Sequence, residues 1–97
     1  MHANQIATEF GLVGAVDPAA VQPLQLIGRL AAKAAELIKL TPQDAETIVA
    51  TILEVYDKYV APFDIPGVGP LAEAVVDQLA RQLLAQALHA IVDQLVK

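Results

Sequence analysis

The sequence contains no cysteine and no serine, and these two absences exclude several kinds of chemistry. Without cysteine there is no disulfide framework and no thiolate ligand for a metal ion, so packing alone must stabilise the fold. Without either residue, the common nucleophile–histidine arrangements have no nucleophile. We therefore predict a protein that is not an enzyme, with no catalytic residue and no bound cofactor.

Positive charge is also scarce. Six lysines and arginines stand against eleven aspartates and glutamates, which gives a formal net charge of −5 at pH 7. Recognition of nucleic acid depends on clustered cations that neutralise phosphates. The charge balance therefore predicts that nucleic acid is not a partner.

Long apolar runs are missing as well. A membrane-spanning helix needs about 20 consecutive apolar residues, and no segment reaches that length. Residues 1–16 have neither a basic start nor an unbroken apolar core, the two features that mark a signal peptide. We expect no transmembrane segment, no signal peptide, and a cytoplasmic or particle-associated location.

Aliphatic side chains, in contrast, are in excess. Hydrophobic residues make up 56% of the 97 residues, above the roughly 45–50% that is usual. A chain of this size is a single domain, and it buries only about 60–65% of the surface that its unfolded form exposes. Many aliphatic groups would stay in water unless another chain covered them. The composition predicts a homo-oligomer or a subunit of a larger complex.

Proline and glycine divide the chain into helical segments. The pattern predicts an all-α fold: a small helical bundle with a short N-terminal helix, two amphipathic helices and one long C-terminal helix. In the single domain 1–97 we expect an N-terminal arm with a short helix in 1–16, helices over 18–40 and 42–60, a Pro/Gly elbow over 61–69, and a long helix over 70–96.

Local signals place two of the helix starts. Asp17-Pro18 suits the first turn of the second helix, although Pro23 would disturb an early turn. Thr41 is predicted to cap the third helix, with Asp44 reaching back as in a capping box. Glu54 and Lys58 form a predicted i, i+4 ion pair.

The long C-terminal helix carries apolar residues at every fourth position. One row is Leu71, Val75, Leu79, Leu83, Ala87, Ile91 and Leu95, and the adjacent row is Ala72, Val76, Ala80, Leu84, Leu88, Val92 and Val96. Because a helix turns in 3.6 residues, each row shifts around the axis by about 40° per turn. Either the three shorter helices surround this helix, or its far half packs on another chain.

Eight residues are candidates for an interface between chains, on the grounds of aromatic contact area or position in the far half of the long helix. These candidates are Tyr56, Tyr59, Phe63, Leu84, Leu88, Ile91, Val92 and Leu95. The alternative for the three aromatic residues is that they fill the corner between the third and fourth helices.

Two pairs of polar residues, spaced i, i+4, could hold a metal ion on the long helix. His89 with Asp93 supplies two ligands where zinc needs three or four. Glu73 with Asp77 is followed by Arg81, which we expect to compensate their charge. Both pairs are interpreted as a solvated polar stripe.

Three hypotheses for function follow. The first is a non-enzymatic structural, assembly or protein-interaction module that self-associates through aliphatic helix faces. The second is a binder of a lipid or another apolar ligand between helices. The third is an enzyme or metal protein with a composite site at a subunit interface, built from Glu54, Asp57, Glu73, Asp77 or His89.

Overall fold

The computed structural model describes residues 2–14, 22–62 and 69–96. Within these residues the regular structure is helical, without a strand. Four α-helices follow in chain order: α1 (Ala3–Glu9), α2 (Pro23–Leu40), α3 (Ala45–Val55) and α4 (Pro70–Leu95). The predicted all-α bundle, with a short first helix and a long last one, is confirmed. Among the described residues, no helix has both the length and the apolar content needed to cross a bilayer.

α1 ends in a Schellman motif. The N–H of Gly11 donates to the carbonyl of Thr8 at 3.0 Å, and the N–H of Leu12 donates to the carbonyl of Ala7 at 2.8 Å. Gly11 has a φ of +72°, a left-handed conformation that glycine adopts without a steric cost. Leu12 is buried. Gly11 therefore terminates the helix and turns the chain so that Leu12 reaches the core.

α2 begins at Pro23, where the missing N–H costs nothing because first-turn donors lack partners in any helix. The helix expected over 18–40 therefore begins at Pro23, with Gln22 before it extended, so Pro23 starts the regular helix and does not fall within an early turn. Asp17-Pro18 lies outside the described residues. Leu26, Leu30, Ala34 and Ile38 form the buried face of this helix.

The junction between α2 and α3 differs from the sequence prediction. The hydroxyl of Thr41 donates backwards to the carbonyl of Leu37 at 3.0 Å, so it serves the end of α2 instead of capping the next helix. Asp44 makes no capping hydrogen bond through its side chain. Pro42–Asp44 is a 3₁₀ turn that leads into α3. Both capping predictions are wrong because a single residue, Thr41, separates the two helical segments.

α3 continues as a π-helical turn over Tyr56–Val60, closed by a hydrogen bond from the N–H of Ala61 to the carbonyl of Tyr56 at 2.9 Å. Single π turns of this kind often occur at functional sites. Tyr56 and Val60 are both buried within this turn. The predicted ion pair between Glu54 and Lys58 is confirmed, with 2.8 Å between Oε1 and Nζ.

The four helices share one core. α4 packs most extensively on α2 and also contacts α3, while α1 packs on α3. The apolar residues buried in this core are Ala3, Ile6, Ala7, Leu12, Leu26, Leu30, Ala34, Ile38, Ala45, Ile48, Ile52, Val55, Tyr56, Val60, Ala80, Leu84 and Leu88.

Gly11, just beyond the end of α1, and Gly28, inside α2, make a matched test of this geometry. Gly11→Ala should lower the free energy of unfolding by about 1–2 kcal/mol, because alanine is strained at positive φ. Gly28→Ala should raise it by up to about 1 kcal/mol, because Gly28 lies inside α2 with open space where a Cβ would be added. Urea denaturation followed by circular dichroism measures both. Equal effects of the two substitutions would contradict the assignment of Gly11 as the helix terminator.

Candidate functional site

Two polar residues of α4, Asp77 and Arg81, contact the π turn that follows α3. Tyr56 is buried, and its hydroxyl lies 3.2 Å from both the carboxylate Oδ1 and the backbone carbonyl of Asp77, to which it can donate. Next to it, Nε of Arg81 lies 2.8 Å from Oδ1 of Asp57. Burial, with the nearby negative charge of Asp77, raises the pKa of Tyr56 well above its usual value.

These contacts correct the interpretation of this row as a solvated polar stripe. Arg81 pairs with Asp57 of the π turn, and not with Asp77 one turn before it or with Glu73 two turns before it. The cause is the packing of α4 on α3, which brings the π turn alongside the first half of α4. Asp57 and Asp77 therefore stabilise the packing of α4 against the π turn.

His89 and Asp93 lie at the other end of α4, where they help to line a surface groove of about 410 Å³ between α3 and α4. The remaining residues that line this groove are Glu46, Val49, Ala50, Leu53 and Val92. Within the described ranges 2–14, 22–62 and 69–96, no group of three or more histidine, aspartate or glutamate side chains is placed to hold a metal ion.

The eight predicted interface residues fall into different environments. Tyr56, Leu84 and Leu88 lie in the interior of the single chain, each 1% exposed or less. Tyr59, Ile91 and Val92 are partly buried against that core. Leu95 is 36% exposed. Phe63 lies outside the described residues.

The first half of α4 carries an exposed apolar row. Leu71, Val75, Leu79 and Leu83 are 86%, 55%, 53% and 50% exposed, respectively. We call these four residues the α4 stripe. Three full turns of large aliphatic side chains are thus left in water, although the helix as a whole is packed. The four-residue repeat predicts this row, but the predicted contact between chains lies in the far half of the helix.

No charged residue interrupts the α4 stripe. Between Pro70 and Leu88 the charged residues are Glu73, Asp77 and Arg81, which form an i+4 row of their own. Each lies two positions after a stripe residue, about 200° further around the axis, and so on nearly the opposite side. The exposed residues beside the stripe are uncharged, for example Ala72, Gln78, Gln82 and Gln86.

Comparison with known proteins does not indicate a function for this chain. No protein-family model matches the chain, and no curated protein or solved structure matches it significantly. The function has to be argued from the described surfaces themselves. The α4 stripe and the groove beside His89 are two such surfaces.

The contact between Tyr56 and Asp77 leads to a prediction about stability. Tyr56→Phe should lower the free energy of unfolding by about 1 kcal/mol at pH 7, because it removes a hydroxyl shared between two acceptors. A raised pKa in the folded state means that the contribution is complete below the unfolded pKa of about 10 and is lost as the pH rises above it. Urea unfolding between neutral and strongly alkaline pH should show the advantage of the unsubstituted protein shrinking above about pH 10.

Tyr59→Phe is the matched control, since Tyr59 is only partly buried and lies in the same turn. The Tyr59→Phe protein should still lose stability above about pH 10, because it keeps Tyr56. A Tyr56→Phe protein as stable as the unsubstituted one at pH 7 would contradict the proposed fastening of α3 to α4.

Proposed function

We propose that the protein is a non-enzymatic structural or assembly module that self-associates through apolar helix faces. The single observation that carries this proposal is the exposed α4 stripe, in which four large aliphatic residues follow one another at half or greater exposure. A homo-oligomer or a subunit of a larger complex would cover such a row.

The energetic reason is the hydrophobic effect. Removing apolar surface from water stabilises an assembly by about 25 cal/mol per Å². Scattered exposed leucines, such as Leu24 and Leu40 at the two ends of α2, are normal on a monomer. A contiguous row with polar edges is instead typical of a surface that binds another protein.

The state of the acidic residues supports a non-enzymatic role. Glu54 pairs with Lys58 at 2.8 Å, and Asp57 pairs with Arg81 at 2.8 Å. Asp77 lies within hydrogen-bonding distance of the hydroxyl of Tyr56. Three of the five residues considered for a composite site thus have structural partners, which favours the assembly hypothesis over the enzyme hypothesis.

Binding of a lipid or another apolar ligand between helices is the second candidate, and the groove between α3 and α4 is the observation that favours it. Val49, Leu53 and Val92 give the groove an apolar part of its lining. Its lining, however, also includes Glu46, His89 and Asp93, and ligand sites usually bury most of the ligand surface in a predominantly apolar lining. The groove therefore supports this function less well than the α4 stripe supports self-association.

Sedimentation velocity over a range of protein concentrations tests the proposal. The unsubstituted protein should sediment as more than one copy, and the fraction associated should rise with concentration. The double variant Leu79→Gln/Leu83→Gln should shift towards the monomer because it makes the middle of the stripe polar without adding charge. Glutamine also has a high helix propensity, so α4 should remain intact.

The double variant Leu24→Gln/Leu40→Gln is the matched control, since it makes the same change at two exposed leucines outside the stripe. It should associate like the unsubstituted protein. A chain that stays monomeric at every concentration would refute self-association.

A further inference from the structure

We propose that α1 is a strap that opens from the rest of the molecule as one unit, while α2, α3 and α4 stay folded together. Opening means that α1 leaves its docked position and loses its helical turns. The strap consists of α1 and the Schellman motif that ends it, residues 3–12. Its opening is a property of the single chain, so it goes beyond the proposed function and does not depend on self-association.

α1 is weak as a helix. It has seven residues, and no side chain forms a hydrogen bond that caps its N-terminus. Glu9 lies in its last turn, where the helix dipole disfavours a negative charge. A helix of two turns is not stable in water without tertiary contacts. α1 therefore keeps its structure only while it is docked.

The docked area is small. Of the three buried residues of α1, Ile6 is the only one larger than alanine. Two open surface hollows, of about 310 and 320 Å³, lie between α1 and α2, and both are lined by Glu9 and Lys33. Towards α3, Nδ2 of Asn4 lies 3.5 Å from the hydroxyl of Tyr59, at the limit of a hydrogen bond. Water thus borders α1 along much of its contact with α2.

Two cations of α2, one turn apart, hold the C-terminal end of the strap. Nζ of Lys33 lies 3.0 Å from Oε1 of Glu9, and the guanidinium carbon of Arg29 lies 5.1 Å from the centre of the Phe10 ring. Glu9 is 54% exposed, and exposed ion pairs and cation–π contacts each contribute little to stability. These contacts position α1 without making its release costly.

A pair of glycines follows the helix and can act as a hinge. Gly11 and Gly14 have φ values of +72° and +92°, with open space around both. Glycine changes between left-handed and right-handed conformations without a steric cost. Leu12, between them, is buried, and its N–H donates to the carbonyl of Ala7. Leu12 is therefore released with α1 when the strap opens.

The remaining helices hold one another without α1. α4 packs on α2 and on α3, and α2 packs on α3. The hydroxyl of Tyr56 contacts Asp77, and Arg81 pairs with Asp57. Because none of these contacts includes a residue of α1, they persist when the strap opens. Local openings of this kind require less free energy than global unfolding.

Single cysteines test the strap, because the chain has none of its own. Ala7→Cys, in α1, and Ala34→Cys, in α2, are a matched pair, since both alanines are 0% exposed. With a thiol reagent dilute enough that reclosing outpaces labelling, each rate reports the population of the open form. The thiol at position 7 should react at least about tenfold faster than the thiol at position 34. Low urea concentrations should accelerate only the reaction at position 34 strongly, because global unfolding exposes much more surface.

A second substitution in each cysteine variant separates local opening from global unfolding. Tyr56→Phe should raise the labelling rate at position 34 about fivefold and leave that at position 7 unchanged, because its contact lies within the α2–α4 bundle. Lys33→Gln should raise both rates by about 1.5- to 5-fold, since α1 is undocked in the open and in the unfolded chain. Lys39→Gln, the control for Lys33→Gln, should leave the rate at position 7 unchanged.

Amide hydrogen exchange repeats the test on the unsubstituted chain, because a cysteine at a buried alanine itself loosens the packing. The N–H of Leu12 should exchange at least about tenfold faster than those of Ile52 and Leu84, in the middle of α3 and α4, and with a weaker urea dependence. The same protection and urea dependence at all three amides would overturn the strap, as would equal acceleration of both thiols by Tyr56→Phe. Exchange of Leu12 as fast as in an unfolded chain would also overturn it, since α1 would then not be docked at all.

Discussion

The mismatch between a four-residue apolar repeat and the 3.6-residue turn of the α-helix controls how this protein covers its longest element. Over the 26 residues of α4, each apolar row moves steadily around the axis. α2 and α3 cover the part of the adjacent row that contains Ala80, Leu84 and Leu88. The row that begins at Leu71 therefore starts on the uncovered side. An exposed apolar surface follows from the repeat itself, because among the described residues α2 and α3 are the helices that make most of the contacts with α4.

Much of the architecture could be predicted from the sequence. The helix over 70–96 was expected to be continuous, and α4 runs unbroken from Pro70 to Leu95. Proline and glycine positions also located α2, α3 and the short α1. These features depend on local conformational preferences, which the residues carry with them wherever the helices pack.

The choice of the buried row could not be predicted, for a physical reason. The rows through Leu79 and Leu84 are almost equally apolar and lie side by side on the helix, so periodicity cannot distinguish them. The orientation of α4 is fixed by contacts with residues distant in sequence, such as Tyr56 with Asp77 and Asp57 with Arg81. The offset of two positions between the charged row and the stripe was visible in the sequence, and it was the available signal that the stripe faces away from α3. The prediction that Thr41 caps the third helix was wrong for a related reason. Its hydroxyl lies between two helix ends and donates to the carbonyl of Leu37 in α2.

α1 is the helix that depends most on docking against the rest of the fold. It has only seven residues, too few to be stable as a helix by itself, and it is held by the docking of Ile6 and Ala7 and by an ion pair of Glu9 with Lys33 at 3.0 Å. Segments of this kind detach at a lower free energy than global unfolding requires. Detachment of α1 would uncover the part of α3 beneath it, while the bundle of α2, α3 and α4 could remain folded. The single chain thus has one hydrophobic surface that is exposed to water and a second that is covered only by a two-turn helix.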